Sequence, residues 1–278
     1  MKRMIFAGGA AALGLVSAAQ AAVLVDATGA TNPTIDQTLS TRTLSGFSVA
    51  DNADRLLVVA VSGEEVGSVD SVTYGGVSLT EIVETNTGPL DATASGNEFL
   101  DTVAIWYTFA PAVGSADIVA SVTPDLPVST SSPNFRVVAG SFYNVDSNVL
   151  PTFAIGTNPL DSATASLGIA VTEGGLIFES ISTNGDEDDS QSLTATADQT
   201  VIDNQNINVQ GGYTTGTAYE IALASGLQTQ TWSLGAADEH GYAAVAFASV
   251  GSVVIPEPAS LAVLAAPLGL SLMRRRRA

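Results

Sequence analysis

Apolar and polar residues alternate along most of the chain between residues 23 and 253, which is typical of β-strands. Runs rich in Val, Ile, Thr and aromatic residues are separated by clusters of Gly, Asn, Asp, Pro or Ser. No window in this stretch keeps a helical period over three turns. The pattern predicts an all-β fold: one large antiparallel β-sandwich, jelly-roll-like, over residues 22–253, with two smaller packed sandwiches as the alternative.

Two runs predict how individual strands lie in the core. Residues 55–61 are nearly all apolar, which indicates a central strand covered on both faces. Residues 101–109 alternate, with Val103 and Ile105 on one face and Ala104 and Trp106 on the other. A further strand is expected over residues 135–145.

Two double-glycine segments predict hairpin turns, because glycine adopts the positive φ angles that such turns need. Gly75-Gly76 separates the β runs 69–74 and 77–83, and Glu173-Gly174-Gly175 separates the runs 166–172 and 176–183. Further strands are expected at residues 207–213, 218–224, 229–234 and 242–250. Residues 124–133 and 149–165 are the candidate linkers, although neither indicates a firm domain boundary.

The first 21 residues have the physical features of a secretory signal peptide. Lys2 and Arg3 are followed by a short apolar core over residues 5–16, and Ala19 and Ala21 supply the small side chains that a signal peptidase requires. We expect cleavage after Ala21 and export of the remaining chain.

The last 25 residues, 254–278, contain three parts in a fixed order. A Pro256-Glu257-Pro258 turn precedes an apolar run over residues 259–273, and a block of four arginines follows. The run is too short for a comfortable bilayer span, which needs about 20 residues. The arginines would resist translocation and leave the preceding chain outside the cytoplasm. The pattern predicts a transient membrane signal.

This tail resembles the PEP-CTERM sorting signal of Gram-negative bacteria. The matching residues are Pro256, Glu257 and Pro258 of the motif, and Arg274, Arg275, Arg276 and Arg277 of the basic end. The resemblance implies a short hydrophobic helix inserted transiently in the inner membrane and an exosortase-type membrane protease that processes it. It also implies placement at the cell surface or in the extracellular matrix, where exopolysaccharide is the candidate partner.

The β runs resemble a sandwich domain that is common in secreted bacterial proteins. The residues that carry this second resemblance are those at 56–61, 72–76, 105–107 and 137–145, with Pro111 and Gly114. It implies a scaffold, and a scaffold does not determine a function.

Charge and cysteine content narrow the classes of function. The formal net charge is −19, and only Arg42, Arg55 and Arg136 of the nine basic residues lie between the two terminal signals. The intervening region therefore carries about −24 and repels phosphate backbones, which argues against nucleic-acid binding. The chain has no cysteine, so its stability cannot depend on disulfides.

The sequence offers little for catalysis. His240 is the only histidine, no Gly-x-Ser-x-Gly motif occurs, and cysteine is absent. We expect no enzymatic activity and interpret His240, within Asp238-Glu239-His240-Gly241, as an exposed turn residue. A glycan-active enzyme, which would use two of the many acids as a facing pair, is the third hypothesis for the function.

Calcium and carbohydrate are the remaining candidate ligands. Asp186, Asp188 and Asp189 lie in the densest acidic run and could supply oxygen ligands for calcium, although the run lacks alternating ligand spacing and favours a solvated loop. Several aromatic residues could stack on sugars, but most lie in alternating strands where packing is the usual role. A carbohydrate- or calcium-binding extracellular module is therefore the alternative to a structural or interaction protein, and no other cofactor is expected.

Overall fold

A computed structural model describes residues 21–32, 40–87, 100–124, 133–184, 192–207 and 213–251, and the structural statements below concern these residues. They form fifteen β-strands, paired antiparallel throughout, and contain no helix. The predicted all-β antiparallel class is confirmed. The predicted signal peptide, except Ala21, and the predicted C-terminal helix lie outside the described residues.

The strands follow one another along the chain with the following bounds: β1 Leu24–Ala30, β2 Thr41–Val49, β3 Leu56–Glu64, β4 Val66–Tyr74, β5 Val77–Ser78, β6 Thr80–Asn86, β7 Asp101–Phe109, β8 Gly114–Pro124, β9 Asn134–Tyr143, β10 Thr152–Val171, β11 Leu176–Asn184, β12 Leu193–Ala195, β13 Thr200–Ile207, β14 Tyr213–Ile221 and β15 Gly226–Phe247.

These strands form three sheets. The central sheet has the order β1-β9-β3-β7-β6, and the outer sheet has the order β2-β8-β4-β5. The third sheet, called here the bent sheet, has the order β10-β15-β11-β14-β13, with β12 also paired to β15. Its long strands β10 and β15 pair along their whole length, with irregular register near residues 158–164.

Three apolar clusters hold the sheets together. The first joins one face of the central sheet to the outer sheet, with Trp106 and Ile118 among its members. The second joins the opposite face of the central sheet to the bent sheet, through residues such as Val58 and Phe178. The third lies within the bent sheet, where the early part of β15, including Trp232, packs on the same cluster as β11 and β14. Both faces of the central sheet are therefore buried.

The two strand predictions for the core are confirmed. Every residue of β3 is buried, as expected for a central strand covered on both faces. On β7, Ala104 and Trp106 belong to the cluster with the outer sheet, and Val103 and Ile105 belong to the cluster with the bent sheet. The period-two pattern of this strand therefore gives the two faces correctly.

The first double-glycine turn is confirmed only in part. Gly75 and Gly76 have φ angles of 57° and 79° and join β4 to β5, with Tyr74 opposite Val77. However, the predicted strand 77–83 is two strands, because the chain leaves the outer sheet after Ser78 and pairs with β7 of the central sheet.

The second double-glycine hairpin is wrong. Strands β10 and β11 do not pair with each other, because β15 lies between them. The Gly174 N–H instead donates to the Ala222 carbonyl at 2.7 Å, and the Ala222 N–H donates to the Gly175 carbonyl at 2.9 Å. The turn is thus held by the end of β14, and it connects two strands that share a neighbour.

Three further expectations for the second half need correction. The candidate linker 149–165 lies largely within β10, whose twenty residues form one strand. The predicted strands 229–234 and 242–250 are mostly parts of a single strand, β15, which continues through the polar residues between them. The predicted strand 207–213 spans the end of β13, the start of β14 and residues 208–212, which are not described.

The described chain enters and leaves the domain at one end, called here the terminal pole. The Val23 N–H donates to the Gly174 carbonyl at 2.8 Å, and the Val250 N–H donates to the Asn144 carbonyl at 2.9 Å. A Cβ on Gly174 would lie within 3.3 Å of both Ala22 and Ser249. The two ends of the domain are therefore neighbours.

The opposite end of the domain is called here the polar pole. At this end Glu64 of β3 lies opposite both Asp101 of β7 and Asn134 of β9. Because β3 has nine residues and a strand rises about 3.3 Å per residue, the two poles are about 27 Å apart.

Candidate functional site

The layer between the central and bent sheets changes from apolar to polar toward the polar pole. Leu56, Val58 and Ala60 of β3 belong to the apolar cluster of this layer. Because side chains alternate along a strand, Ser62 and Glu64 are the next residues on the same face, and both are buried. The polar pole therefore contains polar and charged side chains at core depth.

An ion pair joins the two sheets in this polar layer. Arg136 of β9 donates from Nε to Asp203 Oδ2 at 3.0 Å and from Nη2 to Asp203 Oδ1 at 2.6 Å. Both side chains are more than nine-tenths buried. The bidentate geometry matches the planar guanidinium to the carboxylate, and it connects the central sheet to the edge strand β13 of the bent sheet.

A second polar contact crosses the same layer. Ser182 of β11 donates its hydroxyl to Asp101 Oδ1 of β7 at 3.1 Å, and both residues are fully buried. Hydrogen bonds to buried carboxylates offset part of their desolvation cost. The two contacts together tie four strands across the interface: β7 and β9 of the central sheet, and β11 and β13 of the bent sheet.

Tyr213, the first residue of β14, lies within this charged group. Burial raises the pKa of its phenol to about 12; the positive charges of Arg42 and Arg136 oppose the shift, whereas the carboxylates Glu64 and Asp203 add to it. The tyrosine is therefore neutral at physiological pH. Arg42 also lies over the Phe135 ring, 5.3 Å from its centroid.

Several buried polar atoms at the polar pole have no hydrogen-bond partner among the described residues: Arg136 Nη1, Asn134 Oδ1, Tyr213 Oη and Thr215 Oγ1. Buried polar atoms are nearly always paired with protein groups or ordered water. The polar pole therefore holds donors and acceptors in excess of the contacts that the described residues provide.

Five connections that are not described begin and end at strand ends of the polar pole or beside it. They are residues 33–39, 88–99, 125–132, 185–191 and 208–212. The candidate calcium ligands Asp186, Asp188 and Asp189 belong to the fourth of them and lie outside the described residues. Within the described ranges, no group of three or more His, Cys, Asp or Glu side chains could hold a metal ion.

A separate buried polar network lies inside the bent sheet. Tyr242 and Gln199 both donate to the Glu179 carboxyl, and Gln199 Nε2 also lies 2.7 Å from Gln230 Oε1. Gln230 Nε2 then donates to Glu220 Oε2 at 2.8 Å. The network connects strands β11, β14 and β15 with the residues that follow β12.

Burial raises the pKa of Glu179 to about 8, with a smaller contribution from the Glu220 charge, while contacts with Tyr242, Trp232 and Gln199 oppose the shift. The carboxyl is therefore protonated at neutral pH. The pKa of Tyr242 is also raised, by burial and by the nearby Glu179. Sequence patterns did not identify this network, because its members are spread over residues 179–242.

The exposed-turn interpretation of His240 is wrong. His240 lies within β15, opposite Asn158 of β10 and Thr183 of β11, and is 5% exposed. Burial lowers the pKa of its imidazole, opposed by the backbone of Asp238, whose carbonyl lies 3.5 Å from Nδ1. The polar run resembled a turn, but neighbouring strands on both sides continue the sheet through it.

Most of the aromatic residues considered for sugar stacking serve packing, as their alternation predicted. Trp106, Tyr213 and Trp232 are buried, and Tyr107 and Tyr219 pack against the cluster between the central and bent sheets. At the terminal pole an apolar cavity of about 180 Å³ is bounded by Val149, Leu150, Thr152, Ala170, Val171, Thr172, Ala246, Phe247 and Ala248. Its lining is mostly apolar, and its only polar side chains are those of Thr152 and Thr172.

The candidate sorting residues lie outside the described part of the chain: Ala19, Pro256, Glu257, Pro258, Arg274, Arg275, Arg276 and Arg277. Ala21 is described and exposed. Among the described residues, no helix is long and apolar enough to cross a membrane. Comparison of the chain with protein-family models, with curated proteins and with solved structures found no match.

We predict that removing one member of the Arg136–Asp203 ion pair destabilises the domain more than replacing both members with apolar residues. Arg136→Met alone should cost about 3–5 kcal/mol of unfolding free energy, because it leaves the Asp203 carboxylate buried without its partner. The double change Arg136→Met with Asp203→Leu should recover most of that loss, because neither charge then needs desolvation. Denaturant unfolding of both variants tests this, and equal losses in the two would contradict it.

We predict that Glu179 makes stability fall as pH rises. The folded state holds a proton up to about pH 8, whereas the unfolded carboxyl releases it near its ordinary value of 4.5. Unfolding free energy should therefore decline between these values, at up to about 1.4 kcal/mol per pH unit, and level off above them. Glu179→Gln should remove this decline, as measured by urea unfolding at several pH values.

The matched control for this prediction is Glu81→Gln, an exposed change on β6 that leaves the Glu179 network intact. It should keep the pH dependence of the parent protein. If Glu179→Gln and Glu81→Gln show the same profile as the parent, Glu179 does not titrate as described.

Proposed function

We propose that this chain is an exported, exosortase-processed protein of the cell surface or extracellular matrix of a Gram-negative bacterium. In this proposal, signal peptidase removes residues 1–21 and an exosortase-type protease acts on the tail while it is inserted in the inner membrane. The described domain then has a structural or interaction role in an exopolysaccharide or biofilm matrix. A jelly-roll-like β-sandwich over residues 22–253 is part of the same proposal.

The observation that carries this proposal is the arrangement of the two poles. Val23 and Val250 lie together at the terminal pole, so a tail that follows residue 251 leaves from the end opposite to Glu64 and Asp101. A chain held by its tail would present the polar pole away from the envelope. That geometry suits a domain that meets partners at its distal end.

Two properties of the described domain agree with an extracellular setting. Without cysteines, its stability comes from three apolar clusters and from continuous strand pairing, which do not depend on redox conditions. Its strongly acidic composition keeps such a domain soluble.

The polar pole also supports a carbohydrate- or calcium-binding module as the second candidate. The unpaired polar atoms of Arg136, Asn134 and Tyr213 lie near the end where hydroxyl-rich polymers would be met. β11 ends at the same pole, and the acidic run 186–189 follows it in the sequence. Carbohydrate hydroxyls bind through hydrogen bonds to polar side chains, and calcium binds to carboxylate oxygens.

Processing provides the direct test of the proposal. Because the tail acts as a transient signal, protein isolated from the surface of its host should lack peptides that contain residues 261–273. Mass spectrometry of the C-terminal peptide checks this. Recovery of an intact Arg274–Arg277 end on most surface-located molecules would contradict the proposed sorting.

Calcium distinguishes the two candidates. For a solvated acidic loop, we expect the melting temperature to rise with sodium chloride through general screening, and one-millimolar calcium to add little beyond its ionic strength. Differential scanning calorimetry in 0.15 M salt, with magnesium as the matched cation, measures this. A rise of several degrees with calcium that is lost on replacing Asp186, Asp188 and Asp189 by Asn would favour the calcium-binding module.

A further inference from the structure

The first arm of β10, residues 152–158, lies at an edge of the bent sheet in the described part of the chain. It pairs with β15 on one side without any break in register over these residues, and β10 is the last strand in the sheet order on the other. The arm contains no charged residue. Phe153 and Ile155 on its surface are 56% and 51% exposed, and Leu150 just before it is 80% exposed.

The other edge strands carry the protections that natural sheets use against strand addition. Register breaks interrupt β1, β2, β6 and β13, and these strands carry Asp26, Arg42, Glu81 and Asp203 respectively. The remaining edges, β5 and β12, have two and three residues. The first arm of β10 is long enough to pair, has a regular register and carries no charge, and no other described edge combines these three properties.

We propose that this arm is a homodimer interface, in which the arm of a second copy adds antiparallel to it. A two-fold pairing centred on Ile155 places Ile155 opposite its own copy and Phe153 opposite Thr157. It also places Ala154 opposite Gly156. Every pair is uncharged, and the apolar side chains of both copies lie on one face, so the arm is complementary to itself.

Charge favours a second copy at this edge over the acidic edge strand β6. Each copy carries about −24 between its signals, and pairing through β6 would bring Glu81 and Glu84 of both copies together. The uncharged arm of β10 avoids such contacts in the paired strands. Backbone hydrogen bonds and the burial of Phe153 and Ile155 then supply the attraction.

A residual repulsion predicts how the dimer responds to salt. β6 of the central sheet contacts β10, and it carries Glu81 and Glu84. Two copies joined at β10 therefore bring four of these carboxylates closer together. Added sodium chloride should strengthen association, because it screens like charges while leaving apolar burial intact.

The test is the self-association of the purified protein. Sedimentation analysis between about 1 and 100 μM should show a monomer–dimer equilibrium that shifts toward dimer in higher salt. Ile155→Asp should weaken association at least about tenfold, because it sets two carboxylates opposite each other at the centre of the pair.

Val77→Asp is the matched control. Val77 is also an exposed apolar residue on an edge strand, at 66% exposure, and the change gives the same net charge. It should leave the association constant of the parent protein nearly unchanged. Equal weakening by both variants would show a general charge effect and would overturn the β10 interface.

Cysteine cross-linking gives an independent readout, because the chain has no cysteine of its own. Ile155→Cys should form an oxidised dimer, since residues opposite in a strand pair lie within disulfide distance. Val77→Cys should remain largely uncross-linked under the same conditions. A protein that stays monomeric at all concentrations and salt levels would contradict the proposal. Equal cross-linking of the Ile155→Cys and Val77→Cys variants would also contradict it.

Discussion

The burial of the central sheet on both faces is the constraint on which the rest of the structure depends. β3 and its neighbours must be apolar on both sides, and the other two sheets must cover them. Charged strand ends at the polar pole then lie at core depth and need partners across the interface. The Arg136–Asp203 pair supplies one, although its desolvation cost makes it a specific link between sheets rather than a large source of stability.

Local features of this fold could be predicted from the sequence, whereas the choice of strand partners could not. The faces of β7 follow from alternation, and the Gly75-Gly76 turn follows from the backbone freedom of glycine. Gly174-Gly175 has the same local signal, yet β15 separates the strands that it connects. That separation depends on pairing between residues far apart in the chain, which no local pattern reports.

The polar sites show a similar division. An arginine inside the apolar run around Arg136 indicates a buried partner, but Asp203 lies 67 residues away and is one of many acids. Glu179 gives a weaker signal, because an acid in a strand usually faces water. Its burial follows from the folding of the bent sheet, in which Trp232 on the early part of β15 contributes to the apolar cluster on this side of β11.

The two buried polar sites determine which charges remain on the surface of the domain. Arg42 and Arg136 are inside the domain, so two of its three arginines cannot offset acids at the surface. Glu179 is neutral because of its burial and adds nothing to the repulsion between acids. The charged side chains on the described exterior are therefore almost all acidic, and approach of a second macromolecule is least opposed where acids are absent. Among the described edges, the first arm of β10 meets that condition, whereas the polar pole requires a partner that tolerates or neutralises its carboxylates.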